Sequence, residues 1–120
     1  MRRIQRRDHA RYDTELQAQI IFVSHELTIN EGAWVTNLSQ GGLKLLAADA
    51  PPVGYHCMLL MQLGDHQLAA ICTVVHSEMT EDGVHVGMAF TEMSRDDHRT
   101  LRGVLSRLEA DAGADANEAR

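Results

Sequence analysis

The sequence contains few of the residues that mark secreted, disulfide-stabilised or membrane proteins. Its 120 residues include two cysteines, two prolines and five aromatic side chains. No run of about 18 apolar residues occurs, so no membrane span is predicted. No apolar stretch of signal-peptide type follows the basic N-terminus, so we expect a cytoplasmic protein. Cys57 and Cys72 lie inside apolar stretches. We expect them to be buried small hydrophobic residues rather than a disulfide or a metal-binding pair.

Sequence motifs of catalysis and metal binding are also missing. The seven histidines show neither HxxxH nor HExxH spacing, and the cysteines form no Cys-x-x-Cys pair. The chain has no Gly-x-Ser-x-Gly nucleophile turn, no phosphate-binding Walker A loop and no Gly-x-Gly-x-x-Gly dinucleotide loop. We therefore expect no enzymatic activity, no bound metal and no cofactor.

The charges are distributed unevenly along the chain. Residues 1–11 hold five arginines and one acid, or +4, whereas residues 12–120 carry 6 − 16 = −10. This acidic body disfavours DNA and RNA, which require a broad basic face, and the few aromatics disfavour the stacking of single-stranded bases. The arginine-rich leader suits one small, compact anion. On composition alone, an unstructured leader that only aids solubility is an equally good interpretation.

Alternation of apolar and polar residues predicts β-strands over most of the chain. The first strand shows it at Leu16, Ala18, Ile20 and Phe22, which recur with period two. Turn signals then recur every 8–15 residues, at Gly41-Gly42, Pro51-Pro52-Val53-Gly54, Gly64-Asp65-His66 and Glu81-Asp82-Gly83. The signal Asn30-Glu31-Gly32 is either a hairpin tip or a bulge in one long strand. This spacing predicts an all-β barrel or sandwich.

The period changes at residue 94, where an amphipathic helix is predicted over 94–110. Ser94 suits the N-cap, and Asp96 and Asp97 suit the positive end of the helix dipole. One face carries the apolar residues Leu101, Val104, Leu105 and Leu108.

The predicted organisation is one domain in four parts. They are a flexible arginine-rich leader at 1–12, a barrel at 13–93, the helix at 94–110 and a disordered tail at 111–120.

Two local patterns stand out against this background. Arg7 and Arg11 are four residues apart and are preceded by Arg6, and the turn Asn37-Leu38-Ser39-Gln40-Gly41-Gly42 separates two predicted strands. Together they resemble the PilZ domain family, whose signature is RxxxR followed by (D/N)xSxxG. The segment Gly87-Met88-Ala89-Phe90 before the helix fits the same family, and the resemblance covers about residues 6–109. It implies a six-stranded antiparallel PilZ-type β-barrel with a C-terminal amphipathic helix, in a stand-alone, single-domain member.

The resemblance also implies a ligand, the bacterial second messenger cyclic di-GMP, bound on the outside of the barrel. Arginine suits this ligand because its planar fork binds phosphate, pairs with the guanine edge and stacks on a base. The implied ligand-binding residues are Arg6, Arg7, Arg11, Asn37, Ser39, Gly41 and Gly42.

The motif residues are expected to have separate roles. Asn37 offers its amide to guanine, although the family often has Asp there, and Ser39 offers a hydroxyl to phosphate or base. Gly42 lets the backbone approach the ligand or adopt a positive φ. Arg6 is associated in the family with a second, intercalated ligand molecule.

The implied function is that of a cyclic di-GMP receptor. Ligand binding is expected to order the N-terminal segment and so to signal to a downstream partner protein, because no output module is fused to the chain. The alternative is a PilZ-like adaptor that acts by protein contact and does not bind cyclic di-GMP.

Overall fold

The computed structural model describes residues 11–118, with side chains through residue 111. In this part of the chain six strands precede one helix: β1 (Arg11–Val23), β2 (Thr28–Ser39), β3 (Gly42–Ala47), β4 (His56–Leu63), β5 (His66–Thr80), β6 (Gly83–Met93) and α1 (Arg95–Glu118). The predicted six strands and C-terminal helix are confirmed.

The six strands close into a barrel in which every neighbouring pair is antiparallel. Their order around the barrel is β1-β2-β3-β6-β5-β4, and β4 pairs with β1 to complete the circle. Each strand therefore has a neighbour on both sides, although β4 pairs with β1 only over Ala18–Ile21.

Alternation along the strands separates the barrel interior from its outer surface. On β3, Leu43 and Leu45 point inward and are 1% and 0% exposed, whereas Lys44 between them is exposed. The same period places Leu59 and Met61 of β4 inside the barrel. The interior is filled with aliphatic side chains, so it offers no room for a ligand, and any binding site must lie outside.

The helix attaches to one end of the barrel. Ser94 caps it, because the Asp97 N–H donates to Ser94 Oγ at 3.1 Å. Leu101 is fully buried in the barrel core, and Val104 and Leu105 pack beside it. The predicted apolar face is therefore the face that seals the barrel.

Two boundaries differ from the sequence-based expectation. The helix continues to Glu118, so the predicted end at 110 and the predicted disordered tail from 111 were too early. Strand β1 begins at Arg11, inside the predicted leader. Of the two alternatives at residues 30–32, the structure has one long strand, β2, which passes through them in regular register with β1 and without a bulge. The turn comes earlier, where Ser24 N–H donates to Leu27 O at 2.8 Å.

The two cysteines are buried, as expected, and they are also neighbours. Cys57 on β4 and Cys72 on β5 are directly opposed in the strand register, and both are free thiols. Burial raises the pKa of Cys72 to about 12, with a smaller contribution from Cys57. These thiols therefore stay protonated at neutral pH and act as core residues. Their separation in sequence hid their proximity.

Candidate functional site

The two halves of the motif meet on adjacent strands. Arg11 begins β1 and Asn37 lies near the end of β2, 26 residues later. The register pairs Arg11 with Ser39 and Asp13 with Asn37. The Arg11 Nη1 atom donates to Asn37 Oδ1 at 3.1 Å. The second arginine of RxxxR and the first residue of NxSxxG are thus joined by a direct hydrogen bond.

A β-bulge at Thr36 turns Asn37 toward the outer surface. Val35 is fully buried, so strict alternation would place Asn37 inside the barrel as well. The register with β3 shifts by one residue between Val35 and Asn37, which leaves Thr36 as the extra residue. After the shift Leu38 is the buried residue, and Asn37 faces outward beside Arg11.

A second irregularity lies directly across from the first. The pairing of β1 with β2 shifts between Asp13 and Leu16, so that two residues of β1 oppose Thr36. The Thr14 side chain stabilises this irregularity, because its Oγ1 donates to Val35 O at 2.7 Å. Paired bulges thus bend both strands where the motif halves meet, and they direct the side chains of the candidate site toward the outer surface.

Ser39 has a different environment from the one expected. Its side chain is 3% exposed, its Oγ donates to Gly42 O at 3.1 Å, and it accepts from the Gly42 N–H at 3.2 Å. The hydroxyl therefore closes the tight turn between β2 and β3. A direct contact of Ser39 with a ligand stays a prediction.

The turn glycines also serve the barrel. The Gly41 carbonyl accepts from the Phe90 N–H at 3.0 Å, which ties the turn to β6. Gly42 is not among the described glycines with positive φ, which are at positions 54, 64 and 83. A Cβ at Gly42 would lie 2.2 Å from the Met88 carbonyl oxygen. Of the two roles expected for Gly42, the positive φ is absent and the close approach to a ligand stays a prediction. Close packing against β6 is what requires glycine at this position.

Arg6 and Arg7 lie outside the described residues. Of the predicted site residues, the structure places Arg11, Asn37, Ser39, Gly41 and Gly42 at one end of the barrel, around the β2–β3 turn.

Sequence reasoning missed one exposed cation beside this cluster. Lys44 of β3 is the direct cross-strand partner of Asn37. The signal was available, since Lys44 is the only lysine or arginine between residues 12 and 94. Its position relative to Asn37 depends on the register, which the sequence does not reveal.

Trp34 lies on the outer surface of the barrel, three residues before Asn37. It is 50% exposed, and its partners across the sheet are Gln17 and Leu46. A shallow depression of about 430 Å³ lies along this face. Part of the Trp34 side chain therefore packs against the sheet, and the remainder faces solvent.

Comparison with known protein families shows to which family the chain belongs. The model of the PilZ domain matches residues 5–107. The chain belongs to the PilZ domain family. The match spans both motif halves, the barrel and about half of the helix that this PilZ domain packs against it.

Solved structures share the fold of this PilZ domain at low sequence identity. The inhibitor of motility MotI/DgrA from Bacillus subtilis superposes with a TM-score of 0.74 at 22% identity, over 92% of this chain and 54% of that one. YcgR from Escherichia coli, in complex with c-di-GMP, superposes with a TM-score of 0.75 at 18% identity, over 97% of this chain and 51% of that one. The K. pneumonia MrkH–c-di-GMP complex superposes with a TM-score of 0.74 at 17% identity, over 92% of this chain and 56% of that one.

The chain spans about half the length of these solved structures. No curated protein sequence matches it. In the part of the chain that the structure describes, no group of three or more His, Cys, Asp or Glu side chains could hold a metal ion. Across residues 11–118, no helix combines the length and the apolar character that crossing a bilayer requires.

Proposed function

We propose that this PilZ domain is a receptor for cyclic di-GMP and not an enzyme. The observation that carries the proposal is the hydrogen bond from Arg11 Nη1 to Asn37 Oδ1, 3.1 Å long, between two strands on the outside of the barrel. It holds a guanidinium and an amide side by side, and these two groups can together address a phosphate and a guanine edge.

The chemistry of the ligand fits this pair. Cyclic di-GMP offers two phosphates, two guanine edges and two aromatic faces. The Arg11 guanidinium has five N–H donors in a fixed plane, so it can keep its bond to Asn37 and still donate to a phosphate. The Asn37 amide group can donate to guanine while its carbonyl oxygen accepts from Arg11. Asn37 carries no charge, so it adds no repulsion toward the phosphates.

The solved relatives support this proposal. YcgR and MrkH, which share the fold, are both known in complex with c-di-GMP. In this chain the proposal extends to Arg6 and Arg7, which precede Arg11 by five and four residues in the sequence. Arg6 is proposed to capture a second ligand molecule.

The proposed output is a change of the N-terminal segment that a partner protein reads. The segment joins β1 at Arg11, the residue that contacts Asn37. A ligand held there would add contacts to Arg6 and Arg7, which precede Arg11 in the sequence, and ordering of a segment by an anion is a common switch. We propose that this receptor acts in the cytoplasm.

Isothermal titration calorimetry with cyclic di-GMP tests the receptor function. We expect saturable binding by the wild type and a Kd at least about tenfold higher for Arg11→Ala, because hydrogen bonds to charged groups contribute about 1.5–3 kcal/mol. Arg107→Ala is the control, since it removes an arginine from an exposed position on the helix. Circular dichroism should show the same fold in all three proteins.

The same titration separates the proposal from its alternative. A wild type that produces no saturable heat is an adaptor that does not bind this ligand. Equal losses in Arg11→Ala and Arg107→Ala would mean that net charge, not the Arg11–Asn37 pair, attracts the dinucleotide. The fitted stoichiometry reports whether one or two ligand molecules bind per chain.

A further inference from the structure

The charge of the barrel is almost entirely of one sign. Between residues 12 and 94 the chain has ten acidic residues and one basic residue, Lys44, so this stretch carries 1 − 10 = −9. A surface with this balance repels anions. Apart from Arg11 at the start of β1, Lys44 is the only lysine or arginine of the six strands, so the positions of these two residues decide where an anionic ligand can rest on the barrel.

Lys44 lies beside the proposed site. It is the direct partner of Asn37 across the β2–β3 pair, and both side chains are on the outer face, since the neighbouring Leu38 and Leu43 are buried. Opposed side chains on one face of an antiparallel pair have Cβ atoms about 4.5–5.5 Å apart. The ammonium group of Lys44 can therefore reach the space above Asn37.

The charge of Lys44 is not neutralised by the barrel. Among the side chains of residues 11–111, no carboxylate lies within ion-pair distance of its amine. Its side chain is exposed, and its four-carbon stem allows the ammonium group to adjust its position. In this acidic barrel, Lys44 is thus not paired with any of those carboxylates, and it lies next to the amide that Arg11 contacts.

The two cations flank Asn37 from opposite sides. The Arg11 side chain contacts the Asn37 side chain from β1, and Lys44 lies beside Asn37 on β3. A ligand with two phosphates that lies over β2 would present one phosphate toward each flank. The planar Arg11 and the compact ammonium of Lys44 would then have different tasks, because lysine acts on phosphate as a point charge.

We propose that Lys44 is a ligand-binding residue that contacts a phosphate of the bound cyclic dinucleotide, so that the site spans β1, β2 and β3. This inference rests on the proposed receptor function. It enlarges the site beyond the RxxxR and NxSxxG motifs by a residue that only the strand register places there.

Calorimetric titration with cyclic di-GMP tests the role of Lys44 in four proteins: wild type, Lys44→Gln, Lys44→Arg and Val23→Glu. We expect Lys44→Gln to raise the Kd about tenfold, and Lys44→Arg to stay within about threefold of wild type, because arginine also binds phosphate. Val23→Glu changes the net charge by the same single unit at an exposed residue. It lies roughly 30 Å along β1 from Asp13, the partner of Asn37, and should leave the Kd unchanged.

Salt dependence provides a second readout. A phosphate contact made by Lys44 should make the wild-type Kd rise more steeply with salt than the Kd of Lys44→Gln, whereas Val23→Glu should keep the wild-type slope. Equal effects of Lys44→Gln and Val23→Glu on Kd and slope would overturn the inference, since Lys44 would then act through net charge alone.

The outcomes for the two proposals are distinct. A wild type that binds, with Lys44→Gln binding equally well, overturns the role of Lys44 and leaves the receptor function standing. A wild type that does not bind overturns the receptor function and the role of Lys44 with it.

Discussion

At the scale of single residues, Gly42 is where the motif and the barrel constrain each other most tightly. A Cβ at this position would lie 2.2 Å from the Met88 carbonyl oxygen and 3.2 Å from Ala89 Cα. Both atoms belong to the backbone of β6, so no side-chain rotation can make room. The last glycine of the motif is therefore a condition for the pairing of β3 with β6.

Gly42→Ala is expected to lower the free energy of unfolding by about 1–3 kcal/mol or more, because the added methyl group forces the strands apart. Chemical denaturation monitored by circular dichroism measures the change. Gly32→Ala is the matched control, since it is also within a strand and its Cβ would meet only the Ala18 carbonyl oxygen, at 3.9 Å. Equal stability of Gly42→Ala and wild type would contradict the packing role.

The residues of the NxSxxG motif divide into two groups by their contacts. Asn37 faces outward and contacts Arg11, whereas Ser39 is buried and bonds to Gly42. The motif thus combines a surface for binding with the turn that holds this surface in place. Loss of binding in a Ser39 variant would accordingly need a stability measurement before it is assigned to a ligand contact.

At the scale of elements, α1 is fastened to the β4–β5 hairpin as well as to the core. His66 Nε2 donates to Asp97 Oδ1 at 2.8 Å, and the Ala69 N–H donates to Asp97 Oδ2 at 3.2 Å. Partial burial by itself would raise the pKa of Asp97, but the hydrogen bonds from His66, Ala69 and Ser94 outweigh it and hold the pKa below its usual value. The ionised carboxylate is therefore the form that anchors the helix.

Asp97→Asn is expected to lower the free energy of unfolding by about 1 kcal/mol at pH 7, because the charge-assisted bonds are weakened. The pKa of Asp97 is depressed in the folded state, so its contribution is full above the unfolded value of about 3.9 and is lost as the pH falls through the folded value. Thermal unfolding between pH 7 and pH 3 measures this, and the two proteins should converge in acid.

Asp96→Asn is the matched control for the helix anchor. Asp96 is in the same helical turn, but its side chain is 86% exposed and pairs with Arg99 at 3.6 Å. Exposed pairs of this kind contribute little, so this variant should unfold close to wild type at every pH. A pH-independent difference between Asp97→Asn and wild type would exclude the ionised carboxylate as the anchor.

At the scale of the whole molecule, the helix and the barrel share one hydrophobic core. Leu101 of α1 is fully buried in the same cluster as residues from all six strands. The barrel closes on itself around its axis, but its end is covered by this side chain and its neighbours on the helix. We expect barrel and helix to unfold as one cooperative unit.

Leu101→Ala is expected to destabilise the protein by about 2–5 kcal/mol, because it removes a fully buried side chain and leaves a cavity. The helix is followed by far-ultraviolet circular dichroism, and the barrel by the fluorescence of Trp34, the only tryptophan. Both signals should shift together to lower temperature. A helix signal that melts before the fluorescence would show that α1 is a separate unit. Val53→Ala, at an exposed position, is the control.

Local patterns predicted most of the elements for a physical reason. Period-two alternation and glycine-rich turns are properties of short segments, so the six strands and the helix start at Ser94 could be read directly. The helix end could not, because the segment after 110 is small and polar and has no apolar face to mark where the helix continues. Gly32 left two interpretations open for a related reason, since a glycine within a strand resembles a turn signal.

The candidate site likewise has some features that local patterns predict and others that depend on the tertiary structure. The sequence by itself determined the strands, the capped helix and the pairing of RxxxR with NxSxxG as a family signature, because each is a local pattern of residue types. Only the tertiary structure decided that a bulge at Thr36 turns Asn37 outward to Arg11, and that Lys44 lies across from it. The reason is register. A shift of one residue exchanges the two faces of a strand. Neither the composition nor the spacing of residues shows where in a strand pair such a shift occurs.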